Sequence, residues 1–333
     1  MTEREKQIYK SGRKNPNGYK KTPFIITIKY NKKILISSIL VFLLCIVINI
    51  LIEFNFVPLS FLYSKFGIVD GVEKQDSDFA VYYLDVGQSD CSIIVCEDDV
   101  MMIDTGTKNR SIKIRGALLT LGIDEIDYLV ITHPHDDHMG SATDIIESYT
   151  VKNIIMPKTE KDNKVDTLTY NNLIKSIAKY NVNPMTVDSG DTISLGNSSV
   201  DFCAPFEQDD DINNISIVLK VSYGDTSFLF QGDAESSVEK QLLYSGFDIS
   251  ADVIKVGHHG SNTSTDEKFI KKVNPSIAIV SCGADNSYKH PNKQTIDRLQ
   301  EQNIKTYITS YHGCITITSD GEKVEVLYEN KNV

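Results

Sequence analysis

From Phe79 onward the chain alternates short apolar runs with turn residues. "FAVYYLDV", "CSIIVCE" and "VMMIDTG" (79–86, 91–97 and 100–106) have the composition and punctuation of β-strands. "IKIRGALLTLGI" (112–123) spaces its apolar residues for a helix ending near Gly122. "IDYLVIT" (126–132) is a continuous apolar run, the pattern of a strand buried on both faces. A helix over 141–149, a strand over 153–157 and a helix over 166–180 follow.

The second half repeats this order. Strands are predicted over 192–195, 199–204, 215–224 and 226–233, then a helix over 234–246 ending at Gly246. "ADVIKVG" (251–257) and "PSIAIVSCG" (275–283) read as strands flanking a helix, "TDEKFIKKV", with Thr265 as its N-cap. "NKQTIDRLQEQ" (292–302) reads as a helix before two closing strands. Strands and helices interleave in both halves. The expected fold is α/β: two sheets face to face with helices outside, a four-layer αββα sandwich over residues 78–333.

The N-terminus has another pattern. "ILISSILVFLLCIVINILI", residues 34–52, is nineteen residues without a charge, long enough to cross a bilayer core as a helix. Its few polar residues form no stripe, as a helix packed in a soluble core would show. No small-residue cleavage site follows, and Leu44 is bulky where a lipidated Cys45 would require a small neighbour. The run therefore reads as an uncleaved anchor. Residues 1–33 carry ten Lys/Arg and two acids, net +8. This basic tail is expected to be without a packed core and to remain cytoplasmic. Residues 53–77 read as a linker, and the remainder as extracytoplasmic.

Charge narrows the partners of that exported part. Beyond residue 33 the chain has 24 basic and 43 acidic residues, net −19. Such a surface repels polyanions, and no basic stripe for gripping DNA is visible. Five of the six cysteines lie outside the apolar run, so they cannot all pair within one chain. They read as small core residues, with a Cys91–Cys96 bridge as a conceivable exception.

The densest chemistry is in "THPHDDHMG". His133, His135, Asp137 and His138 follow directly on a buried strand. Imidazole and carboxylate are the donors that suit zinc and similar divalent ions. So many donors in six residues are better divided between two ions than crowded on one. Further along, Asp85 and Asp90 stand near the ends of early strands, where a site role and a simple Asx turn are both open. Lys255 reads as a structural residue within a strand, and His312 as an ordinary turn residue.

The spacing H-x-H-x-D-H resembles the signature of the metallo-β-lactamase fold. "MMIDTG" (101–106) is similar to that family's early strand–Asp–Gly turn, "FLFQGDAE" to its strand with a bridging aspartate, and "DVIKVGHHGSNTS" to its last histidine-bearing strand. "YLDVGQSD", "HHGS" and "YKHPNKQTIDRL" resemble the extracytoplasmic hydrolase domain of ComEC-type competence proteins. Phosphorylcholine esterases of the same fold share similar motifs.

The resemblance implies two divalent ions, Zn²⁺ or Mn²⁺. His133 and His135 would bind the first, and Asp137, His138 and His258 the second. Asp233 would bridge them, and Asp104 would orient a ligand histidine. His259 would contact substrate or protonate a leaving group. His290 matches a family position near the substrate, although a plain loop histidine before a helix fits the residues as well. Many relatives supply a further histidine between these motifs. Residues 139–232 contain none, so Asn213, Asn214, Ser216 or water must fill that place. Harder oxygen donors favour Mn²⁺ over Zn²⁺.

The implied activity is metal-assisted hydrolysis of a phosphodiester, with nuclease action foremost. The acidic surface speaks for a small or zwitterionic substrate such as a phosphocholine-bearing wall polymer. The HHGS and HP motifs point away from β-lactams. The missing histidine leaves open a binding or sensor module with little turnover.

Overall fold

The computed structural model describes residues 32–53, 71–158, 167–206 and 209–328. The basic tail before residue 32 and most of the expected linker lie outside the described residues. The chain divides into two units, Met1–Val57 and Pro58–Val333.

The first unit contains helix α1 (Lys32–Glu53), 22 residues long. Its described side chains, at 34 and 36–47, are exposed. Among the described residues, no helix is long and apolar enough to cross a membrane.

The second unit has two sheets. Strands β1 (Phe79–Tyr83), β2 (Ser92–Cys96), β3 (Asp99–Ile103), β4 (Glu125–Val130), β5 (Thr150–Ile155) and β6 (Asn183–Met185) belong to the first. The second takes β7 (Thr192–Leu195), β8 (Ser198–Ala204), β9 (Val218–Tyr223), β10 (Thr226–Phe230), β11 (Val253–Lys255), β12 (Ile277–Val280) and β13 (Lys305–Ile308). β14 (Ile315–Ser319) and β15 (Val324–Tyr328) return to the first, giving the orders β15-β14-β1-β2-β3-β4-β5-β6 and β13-β12-β11-β10-β9-β8-β7.

Each sheet joins an antiparallel half to a parallel half. β3 to β6 run parallel in one, and β10 to β13 in the other. Loops leaving the carboxyl ends of parallel strands can converge on one crevice.

The strand sequences explain the layering. In β1, Phe79, Val81 and Tyr83 enter the core between the sheets, while Ala80 and Tyr82 enter the core under the helices of the first sheet. In β10, Phe228 and Phe230 face inward and Leu229 faces the outer helices of the second sheet. Side chains alternate across a strand, and both sides here are covered. Hence the runs are apolar throughout rather than alternating.

Three local expectations change. Cys91 and Cys96 are buried and unbridged, because they belong to cores on opposite faces of the first sheet. The edge strand β6 contains Pro184, which masked it in the sequence; an edge tolerates the missing donor. The helix Glu267–Val273 is capped by Asp266, whose side chain accepts from Lys268 N. Thr265 stands one residue earlier with φ 59°, and its amide, like that of Asp266, donates to the Glu239 carboxylate.

Glu239 lies buried in the helix Ser236–Ser245 and also accepts from Gln231. Burial pushes its carboxyl up to about 7, against the three donors, which pull it down. The folded chain therefore holds a proton that the unfolded chain releases near its ordinary value of 4.5. That stabilisation is complete below the lower value and lost as pH rises through the higher one, by about 1.4 kcal/mol for each unit between them. Urea midpoints at pH 5 and pH 8 should show this decline in the wild type. A Glu239→Gln variant should be less stable overall, with the decline reduced.

Candidate metal centre

His133 leaves the carboxyl end of β4 through Ile131 and Thr132, and a short helix, Asp136–Met139, follows. Asp104, next after β3, has φ 59°. Its Oδ1 accepts from Thr132 N at 2.8 Å, and its Oδ2 accepts from Thr132 Oγ1 at 2.8 Å. Oδ2 also lies 2.8 Å from His138 Nδ1. A carboxylate only accepts here, so it fixes the proton on Nδ1 and leaves His138 Nε2 as a lone-pair donor.

That nitrogen faces Asp233, which follows β10. Asp233 Oδ2 lies 3.3 Å from His138 Nε2, 3.7 Å from His258 Nε2, and 3.8 Å from both His133 Nε2 and His259 Nε2. A single carboxylate oxygen is thus surrounded by four imidazole nitrogens. Gly232 sets this position with φ +55°; a Cβ there would meet Ser216 and Thr132 side chains at 3.1 Å. Asp233 N donates to Ser216 Oγ at 3.1 Å.

The two histidines after β11 take separate positions. His258 and His259 both adopt left-handed backbone, φ 47° and 53°. Successive non-glycine residues in that region store strain, which clusters at functional sites. The turn sends His259, not His258, towards Asp137: His259 Nε2 is 3.3 Å from Asp137 Oδ2. Ligand atoms of Asp137, His138 and His259 lie within 4.8 Å of one another, as do those of His133, His138 and Asp233. His258 is more exposed and directs Nδ1 towards Glu235 at 3.3 Å.

Asp90 is part of this site and not a simple turn residue. Its Oδ1 lies 3.2 Å from His259 Nδ1, and its Oδ2 accepts from Lys255 Nζ at 2.8 Å. Both partners are buried. Asp85 takes the Asx turn instead, accepting from Gly87 N at 3.3 Å. His135 Nδ1 lies 2.9 Å from His133 Nε2. Asn214 Oδ1 accepts from Glu235 N at 3.2 Å. With Ser216 also engaged, Asn213 Oδ1 remains buried with no hydrogen-bond partner. His290 packs edge-on to His258 with centroids 5.7 Å apart and accepts at Nδ1 from Gln88 Nε2 at 3.3 Å. His312 bonds the main chain of Ile308.

Electrostatics follow from this crowding. Burial opposes charge on His259, but Asp233 and Asp90 outweigh it and push the imidazole up to about 10. His138 moves well above its ordinary value, burial again being outweighed by Asp233 and Asp104. His133 moves well below, through burial and then the His138 charge. Burial would raise Asp137, but the His259 bond and the charge of His138 hold it down to about 2.

The donor set fits divalent cations. Asp233 Oδ1 is buried with no hydrogen-bond partner. A buried acceptor of this kind is costly unless something positive satisfies it. Imidazole and carboxylate without thiolate match zinc, manganese or iron.

The metallo-beta-lactamase superfamily model matches residues 84–284, which include every one of these groups except His290. The chain belongs to that superfamily. Its members are metal-dependent hydrolases related by this αββα fold. The chain is 33% identical over 203 residues to ComE operon protein 3 of Bacillus subtilis, covering 60% of this chain and 25% of that protein. It is 26% identical over 248 residues to Recombination protein 2 of Haemophilus influenzae, covering 73% and 29%. The chain thus spans little more than a quarter of these relatives. Among solved structures, the diiron β-hydroxylase CmlA of Streptomyces venezuelae matches with a TM-score of 0.50 at 15% identity, over 74% of this chain and 55% of CmlA. That likeness shows the shared fold.

The pairing of Asp90 with Lys255 behind His259, and the parts played by Thr132 and Glu235, were not read from the sequence. Asp90 was signalled by its place in the DVGQSD motif, with an Asx turn as the alternative, and Lys255 only by a charge inside a buried strand.

Proposed function

We propose that this chain is a metal-dependent phosphodiesterase held at a membrane by α1, with its superfamily domain extracytoplasmic. The observation that carries the activity is the convergence of four imidazole nitrogens on Asp233 Oδ2. Likeness to competence proteins supports a phosphodiester substrate, with a nucleic-acid strand foremost. The nineteen-residue uncharged run and the basic tail before it support the anchor.

His133, His135 and Asn213 would hold one ion, and Asp137, His138 and His259 the other, with Asp233 between. Bound divalent ions supply acidified water and neutralise charge on phosphoryl oxygens. Asp104 and Asp90 hold His138 and His259 with Nδ1 protonated and Nε2 free. His258, beside Glu235 and facing the crevice, is the proton donor to the leaving oxygen. His290 is held by Gln88 with its Nε2–H free to bond substrate. Burial, followed by the charges of His258 and His259, draws His290 down to about 4, so it is neutral at neutral pH.

The acidic surface beyond residue 33, net −19, supports a second reading in which the substrate is a zwitterionic phosphocholine-bearing polymer. Labelled single-stranded DNA and a phosphocholine diester, each offered to the full chain with Mn²⁺ or Zn²⁺, separate the readings. DNA cleavage that vanishes in Asp137→Ala supports the first. Bound metal with no turnover of either substrate would leave a binding module.

A further inference from the structure

The sequence motif DVGQSD is only partly used by the metal centre, through Asp90. Its first residues wall a separate cleft of about 420 Å³. Asp85, Gly87, Gln88, Arg110, Asn286 and Ser310 are among the residues that line it. We propose that this cleft is a phosphate subsite, which receives the phosphate next to the scissile one in a nucleic-acid strand. The proposal rests on the phosphodiesterase reading and specifies how the chain is gripped.

Three observations carry it. The first is the setting of Arg110. Its guanidinium abuts Gly87: a Cβ there would meet Nη2 at 2.7 Å and Cζ at 3.3 Å. Gly87 has φ +78°, so glycine is required by its backbone conformation. Arg110 is exposed, and among the described residues its guanidinium makes no ion pair or hydrogen bond. It contrasts with Arg298, which donates to Ser264 O and Thr265 O. A planar fork presented to a cleft is the form that matches phosphate oxygens.

The second is the cleft's connection to the metal centre. Gln88 forms the partition. Its Oε1 accepts from Gly283 N at 3.2 Å, which fixes the amide, and its Nε2 donates to His290 Nδ1 at 3.3 Å. His290 in turn packs against His258 and His259. Asn286 holds the opposite loop, accepting from His290 N at 3.0 Å and donating to Gly283 O at 2.8 Å. His290 therefore links Gln88 of this cleft to the histidines of the metal centre.

The third is charge. The acid in the wall, Asp85, lies 3.3 Å from Lys113 Nζ, which offsets its repulsion of an anion. Elsewhere the surface is strongly acidic, so a broad basic track is not available to hold a polyanion. A single guanidinium at a defined distance from the metals would replace it, selecting strands with a neighbouring phosphate over isolated diesters.

The test uses the full chain in detergent with Mn²⁺. Substrates are bis(4-nitrophenyl) phosphate, the dinucleotide TpT, and its 5′-phosphorylated form pTpT. The wild type should favour pTpT over TpT by about tenfold or more in kcat/KM. Arg110→Ala should bring that ratio to about one, and Arg110→Lys should restore part of it. Gly87→Ala should act in the same direction by displacing the guanidinium. A ratio near one in the wild type, or a ratio unchanged in Arg110→Ala, overturns the subsite while hydrolysis of the other substrates leaves the phosphodiesterase reading standing. If no diester is hydrolysed, that reading fails. The cleft is then judged by calorimetry of thymidine 5′-monophosphate on metal-stripped protein. Binding weakened about tenfold or more by Arg110→Ala supports it, and no binding by the wild type overturns it.

Discussion

Replacing Asp233 with Asn should lower hydrolysis by about 10³-fold or more while leaving the sandwich folded. Asp233 Oδ2 sits within 3.8 Å of four imidazole nitrogens, and its Oδ1 is buried without a partner. The amide keeps the shape and one oxygen but removes the negative charge that would bridge two cations. Metal assistance contributes several kcal/mol to a barrier, which is a factor of about 10³ in rate. Elemental analysis should show the chain falling from two equivalents of metal to one or fewer, with circular dichroism unchanged. A variant that kept both ions and its rate would remove Asp233 from the centre. The same substitution tests the electrostatics. Asp233 is the largest opponent of burial for both His138 and His259. Without its charge, both imidazoles should titrate lower, which NMR of the metal-free protein can follow.

The sequence disclosed the layered fold because both faces of its strands are covered. Phe79–Tyr83 divides its side chains between two cores, and that shows as an unbroken apolar run. The cluster His133 to His138 was equally legible, since its spacing is local and follows a buried strand. What was hidden depends on long-range geometry. The separate positions of His258 and His259 follow from two left-handed residues, a conformation that no side-chain pattern announces. Asp266 rather than Thr265 caps its helix, because the helix begins one residue later than the pattern suggests and the Asp266 side chain accepts from Lys268 N. Asp90 and Lys255 are 165 residues apart in sequence. Each alone looks like a turn acid or a strand lysine; their meaning comes only from being buried together behind His259.

That pair supports the second large expectation. Lys255→Met should destabilise the chain by about 3–5 kcal/mol, because it leaves Asp90 charged and buried without its main counterion. Burial works against ionised Asp90, and Lys255, followed by His259, holds its carboxyl well below the ordinary range. Asp90→Asn alone should cost a comparable amount through the stranded ammonium, which would keep only the Val256 carbonyl at 3.0 Å. Removing both charges, as Asp90→Asn with Lys255→Met, should cost much less than the two single losses added together. The double-mutant cycle in urea measures that coupling. The catalytic consequence should not recover in parallel. His259 would retain the Ser281 carbonyl at 3.0 Å from Nδ1 but lose the carboxylate behind it, and supports of this kind change metal affinity by about 10–100-fold. Stability restored with metal affinity still reduced would show that Asp90 is buried for the sake of His259, with Lys255 present to make that burial tolerable. If affinity recovered together with stability, the pair would be a structural ion pair and nothing more.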